Sequence, residues 1–140
     1  MGSDIFLDAN IILDQVLKRS PHYHLTRQLF QCIVRSEYRA FTSPSIIHII
    51  GYWLKKVYGV SDARKILITL LNDMRVLEQN HEIVIQALHS TMPHIEDALQ
   101  YHTAIHHKMD CFVSRDKELQ KLQSSVLPVV TPEELLQGKR

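Results

Sequence analysis

Acidic residues at the ends of two apolar segments are the side chains of this sequence best suited to chemistry. Asp8 directly follows the apolar run Ile5–Leu7, and Asp116 follows the run Cys111–Ser114 after a single arginine. Short apolar runs of this kind are typical of buried strands in a parallel sheet. Ligands of open parallel sheets bind beyond the carboxyl ends of the strands. We therefore expect Asp8 and Asp116 to lie at the same edge of a sheet.

A third acid is expected from the segment PHIEDALQYHTAIHHK, which has helical periodicity. On a helical wheel Asp97 borders the apolar stripe, whereas Glu96 lies on a polar face. Asp97 is therefore predicted to face a cleft and Glu96 to face water. Asp4 and Asp110 precede the same two strands, so we expect them at the opposite edge of the sheet, about 10 Å or more away.

Three carboxylates that converge at a sheet edge repel one another, and their pKa values rise unless a cation compensates. Mg²⁺ and Mn²⁺ prefer oxygen ligands and are often held by a few carboxylates together with phosphate oxygens of a substrate. This pattern predicts metal-assisted hydrolysis of a phosphodiester. A simpler interpretation stays open, in which Asp8 and Asp116 only cap the helices that follow them.

Short apolar runs alternate with helical segments along the whole chain, which predicts an α/β fold with a parallel sheet covered by helices on both faces. The predicted strands are Ile5–Leu7, Arg39–Thr42, Arg75–Glu78, Cys111–Ser114 and Val126–Val130. Helices are predicted between them, including one over Ser61–Met74 and one over Pro93–Lys108.

Local signals mark the ends of several predicted helices. Asn10 is a candidate cap for the first helix, and Ser20-Pro21 and Ser43-Pro44 each combine a capping residue with proline at the first helical position. Gly59 is expected to close the helix that begins at Pro44. The run Thr131-Pro132-Glu133-Glu134 has the spacing of a capping box.

Composition narrows the function classes. The chain has 140 residues, 45% of them hydrophobic, and a net charge of +1, so a single globular domain over 1–140 is expected without a basic nucleic-acid-binding tail. Cys32 and Cys111 lie in apolar settings without zinc-ligand spacing, which predicts buried thiols in a reduced compartment. The sequence shows neither a signal peptide nor a membrane span, and its four glycines form no phosphate-binding loop.

Four segments in this order resemble a PIN domain, the ribonuclease fold of VapC-type toxins: FLDANIILD, FTSPSIIHIIGYWLKK, HIEDALQYHTAIHHKMDCFVSRDKEL and VVTPEEL. The resemblance implies a three-layer α/β/α fold with four or five parallel strands. It also implies an endoribonuclease that uses Mg²⁺ or Mn²⁺, is cytoplasmic and often homodimeric, and is often encoded with a protein antitoxin that occupies its cleft.

Carried over by position, Asp8, Asp97 and Asp116 match the metal-binding and catalytic acids of the family. Ser114 matches a position where Thr or Ser supports the last acid, and Asn10 matches a polar position near the first. The chain departs from the family at Ile49, which stands where the second acid, usually Glu, belongs. The departure is compatible with a one-metal site and equally with a catalytically weakened member that binds RNA or protein. The neighbouring His48 is a candidate substitute ligand, although an ordinary helix histidine is the simpler interpretation.

Several other residues are weaker candidates for a functional role. Arg115 is predicted either to contact an RNA phosphate or to pair with a surface carboxylate. Asp14 shares a helical face with Asn10 and is predicted either to reach the rim of the cleft or, as the simpler interpretation, to be a solvated acid of the first helix. His102 and His106 have a spacing that can bind zinc, but Thr103 stands where a zinc hydrolase needs Glu. Haloacid-dehalogenase phosphatases need a second acid at position 10, where this chain has Asn10. Response-regulator receivers need an acidic pair before their phosphorylated Asp and a Lys after a late strand, so neither class matches this sequence well.

Overall fold

The computed structural model describes residues 2–122 and 126–138, in which strands and helices alternate. The strands are β1 (Ser3–Leu7), β2 (Tyr38–Thr42), β3 (Met74–Val76), β4 (Cys111–Val113) and β5 (Val129–Val130). The helices are α1 (Ala9–Val16), α2 (Tyr23–Val34), α3 (Pro44–Tyr58), α4 (Val60–Leu70), α5 (His81–His89), α6 (Ile95–His106), α7 (Lys117–Gln120) and α8 (Pro132–Gly138).

The five strands form one parallel sheet in the order β3-β2-β1-β4-β5. The chain builds one half outward from β1 through β2 and β3, then crosses over to β4 and β5 on the other side. The order therefore reverses between β1 and β4, the two strands that the acids were predicted to follow. This arrangement confirms the predicted parallel α/β sheet flanked by helices.

The central strand β1 is buried on both faces. Ile5, Phe6 and Leu7 are each 0% exposed, although successive side chains of a strand point to opposite faces. Phe6 stacks on Phe112 of β4 with the ring centroids 5.3 Å apart. Three successive apolar residues buried on alternate faces need a layer of helices on each side of the sheet, which explains the three-layer architecture.

Several predicted helix ends are confirmed. Ser43 Oγ accepts a hydrogen bond from the backbone N–H of Ile46 at 3.2 Å, and Pro44 is the first residue of α3. Gly59 ends α3 with a φ of 87°, a conformation that favours glycine. The capping box forms as expected: the backbone N–H of Thr131 donates to Glu134 Oε1, and that of Glu134 donates to Thr131 Oγ1.

Other predicted boundaries differ from the structure. The cap of α1 is Asp8 rather than Asn10, because the Asp8 carboxylate accepts the N–H of Ala9. Helix α2 begins at Tyr23, two residues after Pro21. The helix predicted over Ser61–Met74 ends at Leu70. The backbone N–H groups of Asn72 and Asp73 donate to the carbonyls of Thr69 and Leu70 in a turn, and Met74 belongs to β3, where it pairs with β2. Strand β5 is limited to Val129–Val130 by its short register with β4.

The buried environment of both thiols is also confirmed. Cys32 and Cys111 are buried, and desolvation followed by the charge of Asp110 raises the pKa of Cys111 to about 12. That thiol is protonated at neutral pH and unreactive. In residues 2–122 and 126–138, no helix combines the length and apolar character needed to cross a membrane.

Candidate active site

The candidate site lies at the carboxyl edge of the sheet, where the strand order reverses. Leu7 of β1 pairs with Val113 of β4, so the residues that follow them, Asp8 and Ser114, emerge side by side. The backbone N–H of Asp8 donates to the carbonyl of Val113 at 3.0 Å and continues the ladder by one more bond. The register of β1 and β4 thus fixes the position of the first acid.

Asp8 is held by two neutral donors. Its Oδ1 accepts the N–H of Ala9 at 2.8 Å, and its Oδ2 accepts the hydroxyl of Ser114 at 2.8 Å. Burial raises the pKa of Asp8 to about 6, with smaller contributions from the charges of Asp97 and Asp116 and with both hydrogen bonds opposing the shift. A carboxylate in this environment is stabilised by a cation.

Ser114 joins the first acid to the last. It is fully buried, donates its hydroxyl to Asp8, and accepts the backbone N–H of Asp116 at 3.0 Å. The expected support of the last acid therefore acts through the backbone of Asp116 rather than through its carboxylate. Asp116 itself caps the short helix α7, since its Oδ1 accepts the N–H of Glu118 at 2.9 Å.

Asp97 approaches the same edge from the first turn of α6. It is partly buried, whereas Glu96 is exposed, so the predicted difference between these neighbours is confirmed. Burial raises the pKa of Asp97, and the charge of Asp116 raises it further. The charge of Asp116 thus raises the pKa of both Asp8 and Asp97, which brings together residues about 90 and 110 positions apart in the sequence.

The donor set fits a hard divalent cation in chemistry, because it consists of carboxylate oxygens that repel one another. Within the described residues, however, no three Asp, Glu, His or Cys side chains are gathered as ligands of one ion. Mg²⁺ is usually held by only one or two carboxylates and keeps several waters, so this arrangement still suits it. Capping by Asp8 and Asp116 is real, but it does not account for the raised pKa of Asp8.

Ile49 stands where the resemblance places the second acid, and neutral side chains lie near it. Ile49 is partly buried on α3, and His48 is exposed. One turn before Ile49, Ser45 accepts the amide N–H of Gln100 from α6, and Ser43 donates its hydroxyl to the same side chain. Neutral hydrogen bonds thus join α3 to α6 near this position.

Asp14 is not the solvated acid that its place in the helix predicted. It is only 5% exposed, and its Oδ2 accepts Arg115 Nη1 at 2.8 Å while its Oδ1 accepts Arg19 Nε at 3.0 Å. Arg115 also donates to Thr26, which belongs to α2. Of the two alternatives for Arg115, the structure shows pairing with a carboxylate, and that carboxylate is buried. Ile11, which lies three positions before Asp14 on the same face of α1 and is fully buried, was the signal for its burial.

A depression of about 410 Å³ lies beside Asp116, and its walls also include Asn10, Asp14, Arg19, His22 and Arg115. Asn10 is exposed there, while its backbone carbonyl accepts a hydrogen bond from Arg19. The structure thus places the predicted polar residue beside the last acid, within the helix and not at its start.

A sequence model described as a PIN domain matches residues 4–118. The chain belongs to the PIN domain family. The match contains Asp8, Asp97, Ser114 and Asp116, and confirms the resemblance drawn from the sequence segments. Comparison with curated proteins gives no match.

Solved structures with the same PIN fold share little sequence with this chain. A toxin–antitoxin complex from Klebsiella pneumoniae is 17% identical with a TM-score of 0.69, covering 91% of this chain and 97% of that one. VapBC2 from Rickettsia felis, bound to a DNA fragment from its promoter, is 12% identical with a TM-score of 0.68, covering 91% and 98%. Mycobacterium tuberculosis VapC20, a sarcin-ricin loop cleaving toxin, is 15% identical with a TM-score of 0.68, covering 84% and 94%.

Proposed function

We propose that this PIN domain is an endoribonuclease that depends on Mg²⁺ or Mn²⁺ and forms the toxin component of a toxin–antitoxin pair. The observation that carries the proposal is the carboxylate of Asp8, which is half-buried where the sheet order reverses and whose pKa is raised by desolvation and by the charges of two further acids. The similarity of the fold to toxin–antitoxin structures, one of them a toxin that cleaves RNA, supports the same assignment.

Each acid has a defined task in this proposal. Asp8 and Asp97 hold the ion, and Asp116 holds it or orients the attacking water. The bound ion lowers the pKa of a water and offsets the negative charge that develops on the phosphate. Ser114 keeps Asp8 in place, and Asn10 lines the cleft. Arg115 faces the depression beside Asp116 and is a secondary proposal for a phosphate contact.

The test uses purified protein, RNA, Mn²⁺ and a chelator, together with an Asp8→Asn variant. Cleavage by the wild type that is lost with chelator and lost in the variant supports the proposal. Equal cleavage by both proteins contradicts the catalytic role of Asp8.

A second candidate function follows from Ile49. Without the second acid, the domain would bind RNA or a partner protein without efficient turnover. Chelator-sensitive cleavage at a robust rate would refute this candidate. Binding of RNA by a chain that shows no metal-dependent cleavage would support it.

The proposed antitoxin has a suitable groove. A cavity of about 780 Å³ lies between α1, α2 and α4, with apolar Val16, Phe30 and Ile66 in its wall and Lys18, Arg27, Arg35 and Lys65 around them. An amphipathic helix with acidic edges matches this surface. Val34→Asp, at a residue that is 61% exposed in the same wall, should prevent co-purification with the proposed antitoxin without unfolding the domain.

The homodimer and the cytoplasmic location belong to the same proposal. Light scattering on the purified protein tests the first, and fractionation of cells that express it tests the second. Neither result affects the assignment of the acids.

A further inference from the structure

The outer face of α3 exposes two adjacent aromatic side chains. Tyr52 is 52% exposed and Trp53 is 44% exposed, in a helix whose buried face carries Ile46, Ile50 and Leu54. Large aromatic surfaces left in water are unfavourable, and clusters of them mark binding surfaces. These rings therefore need an explanation that packing within the domain does not supply.

A lysine accompanies the two rings. The ring centroids of Tyr52 and Trp53 are 5.4 Å apart in an edge-to-face arrangement. Lys56 Nζ lies 5.0 Å from the centroid of Tyr52 and 5.6 Å from that of Trp53. Ile49, Tyr52, Trp53 and Lys56 are spaced as one helical face, about 10 Å long, which we call the aromatic stripe.

The charged side chains of α3 itself have a single sign. Residues 43–61 contain Lys55 and Lys56 but neither aspartate nor glutamate. Cations at the last turn also suit the helix dipole, but this does not explain aromatic side chains beside them. Exposed rings next to lysines match a ligand that presents flat apolar surfaces and negative charge together, as a single-stranded nucleic acid does.

The stripe is continuous with the candidate site. Ser45 lies one turn before Ile49 on the same face of α3, and its hydroxyl accepts the amide of Gln100. Gln100 is one turn after Asp97 on α6, so the first end of the stripe adjoins the helix that carries one of the three acids. Ile49, which replaces the second acid of the family, makes this end apolar.

We propose that the aromatic stripe is a platform on which an unpaired base of RNA stacks, with Lys56 neutralising a flanking phosphate. The proposal rests on the proposed function only in taking RNA as the ligand. In this proposal the aromatic stripe, which includes Ile49, binds RNA directly and does not hold a metal ion. Stacking tolerates any base, so the platform contributes affinity for unpaired segments rather than sequence specificity.

Trp53 is the one tryptophan of the sequence, so its fluorescence reports directly on the stripe. An RNA of about 12 nucleotides, matching the usual site size of single-strand binders, is titrated into the Asp8→Asn variant in chelator, which prevents cleavage. The expected result is saturable quenching by the single strand and weaker quenching by the same sequence as a duplex.

Three substitutions locate the binding. Tyr52→Ala should raise the Kd for the single strand about 5- to 100-fold, as loss of one stacking partner does. Lys56→Gln should lower the slope of log K against log salt by about 0.7, as loss of one phosphate contact does. Tyr58→Leu is the matched control, because Tyr58 is 41% exposed on the same helix but lies about 200° around it from Lys56. Its Kd should stay unchanged, and circular dichroism verifies that each variant is folded.

The outcomes separate this inference from the proposed function. If the wild type cleaves RNA while Tyr52→Ala and Lys56→Gln bind the single strand normally, the platform is overturned and the ribonuclease stands. If RNA quenches Trp53 and the Tyr52 variant binds weakly although no cleavage occurs, the platform stands and the ribonuclease fails. If Trp53 fluorescence instead follows protein concentration, and Tyr52→Ala dissociates a dimer without changing RNA affinity, the stripe joins two copies of the chain and the proposal is overturned.

Discussion

The two ends of the central strands carry the same residue type in opposite environments. Asp4 is in β1 and Asp110 precedes β4, whereas Asp8 and Asp116 follow these strands at the other edge. At the amino edge, Asp4 Oδ1 pairs with Arg39 Nε at 2.6 Å, and Asp110 Oδ2 accepts the backbone N–H of Asp4 at 2.8 Å. At the carboxyl edge, the hydrogen bonds to Asp8 come from a hydroxyl and an amide.

The difference shows that position along a strand decides what an acid can do. The amino-edge acids are compensated by the chain itself and are accessible to water. At the carboxyl edge, burial and the charges of the neighbouring acids raise the pKa values of Asp8 and Asp97. Only the second arrangement leaves negative charge that an added cation would stabilise.

Asp14 provides the most severe test of this comparison, because it lies near the carboxyl edge but is neutralised by two arginines. Asp14→Asn leaves Arg115, only 16% exposed, with the more distant carboxylate of Glu133 at 3.8 Å in place of the one at 2.8 Å, and should lower the free energy of unfolding by about 3 kcal/mol. Urea unfolding measures the loss. Arg19→Gln is the control and should cost less than about 1 kcal/mol, because Arg19 is 41% exposed. If the Asp14→Asn variant is as stable as the wild type, the ion pair with Arg115 is not what stabilises charge buried near this edge.

Exchanging one acid at each edge tests the comparison in activity. Asp8→Asn should reduce the rate of metal-dependent RNA cleavage by about 100-fold or more, since it removes a ligand of the proposed ion. Asp4→Asn, the matched change at the other end of β1, should leave the rate within about twofold. Initial rates on one RNA at saturating Mn²⁺ measure both. Similar losses in the two variants would show that the edges do not differ in function.

The cost of the Asp8 charge should be visible in the stability of the metal-free protein. A carboxyl whose pKa is raised to about 6 binds its proton more tightly when folded, so stability is lost as the pH rises through that value. Asp8→Asn should therefore be more stable than wild type by about 2 kcal/mol above pH 7, with the difference vanishing below about pH 4. Thermal unfolding in chelator across pH measures it. A variant less stable than wild type at every pH would contradict the burial of the charge.

Ser114 extends the comparison to a neutral residue, because its hydroxyl donates a hydrogen bond to Asp8 at the carboxyl edge. Ser114→Ala removes the hydroxyl that joins Asp8 to the backbone of Asp116 and should lower the affinity for Mn²⁺ about tenfold. Calorimetric titration measures the change, and Ser114→Thr should restore part of the affinity. Unchanged affinity in the alanine variant would remove Ser114 from the site.

The sequence predicted well those features that depend on neighbouring residues or on strand order. Asp8 and Asp116 were located because acids that follow two buried strands must emerge at one edge. The Ser43 cap, the Gly59 terminus and the capping box at Thr131 were located because each is a local pattern. That residues 1–140 form a single domain stays a prediction.

The sequence predicted poorly what depends on distant partners. Arg115 is 101 positions from Asp14 in the sequence, so their ion pair could not be read from the spacing of either residue. Asn10 was a reasonable cap, but Asp8 competes for the same helix end and is already held there by the ladder with β4. The meeting of Ser45 with Gln100 likewise depends on how α3 and α6 pack.

The central claim is that the carboxyl edge of this sheet, and not its amino edge, binds a divalent cation. Titration of Mn²⁺ followed by electron paramagnetic resonance, at a pH well above the pKa of about 6 of Asp8, tests it directly on the wild type, Asp8→Asn and Asp4→Asn. We expect equal binding by the wild type and Asp4→Asn, and at least about tenfold weaker binding by Asp8→Asn. Equal binding by all three proteins, or loss of binding in Asp4→Asn alone, would contradict the claim.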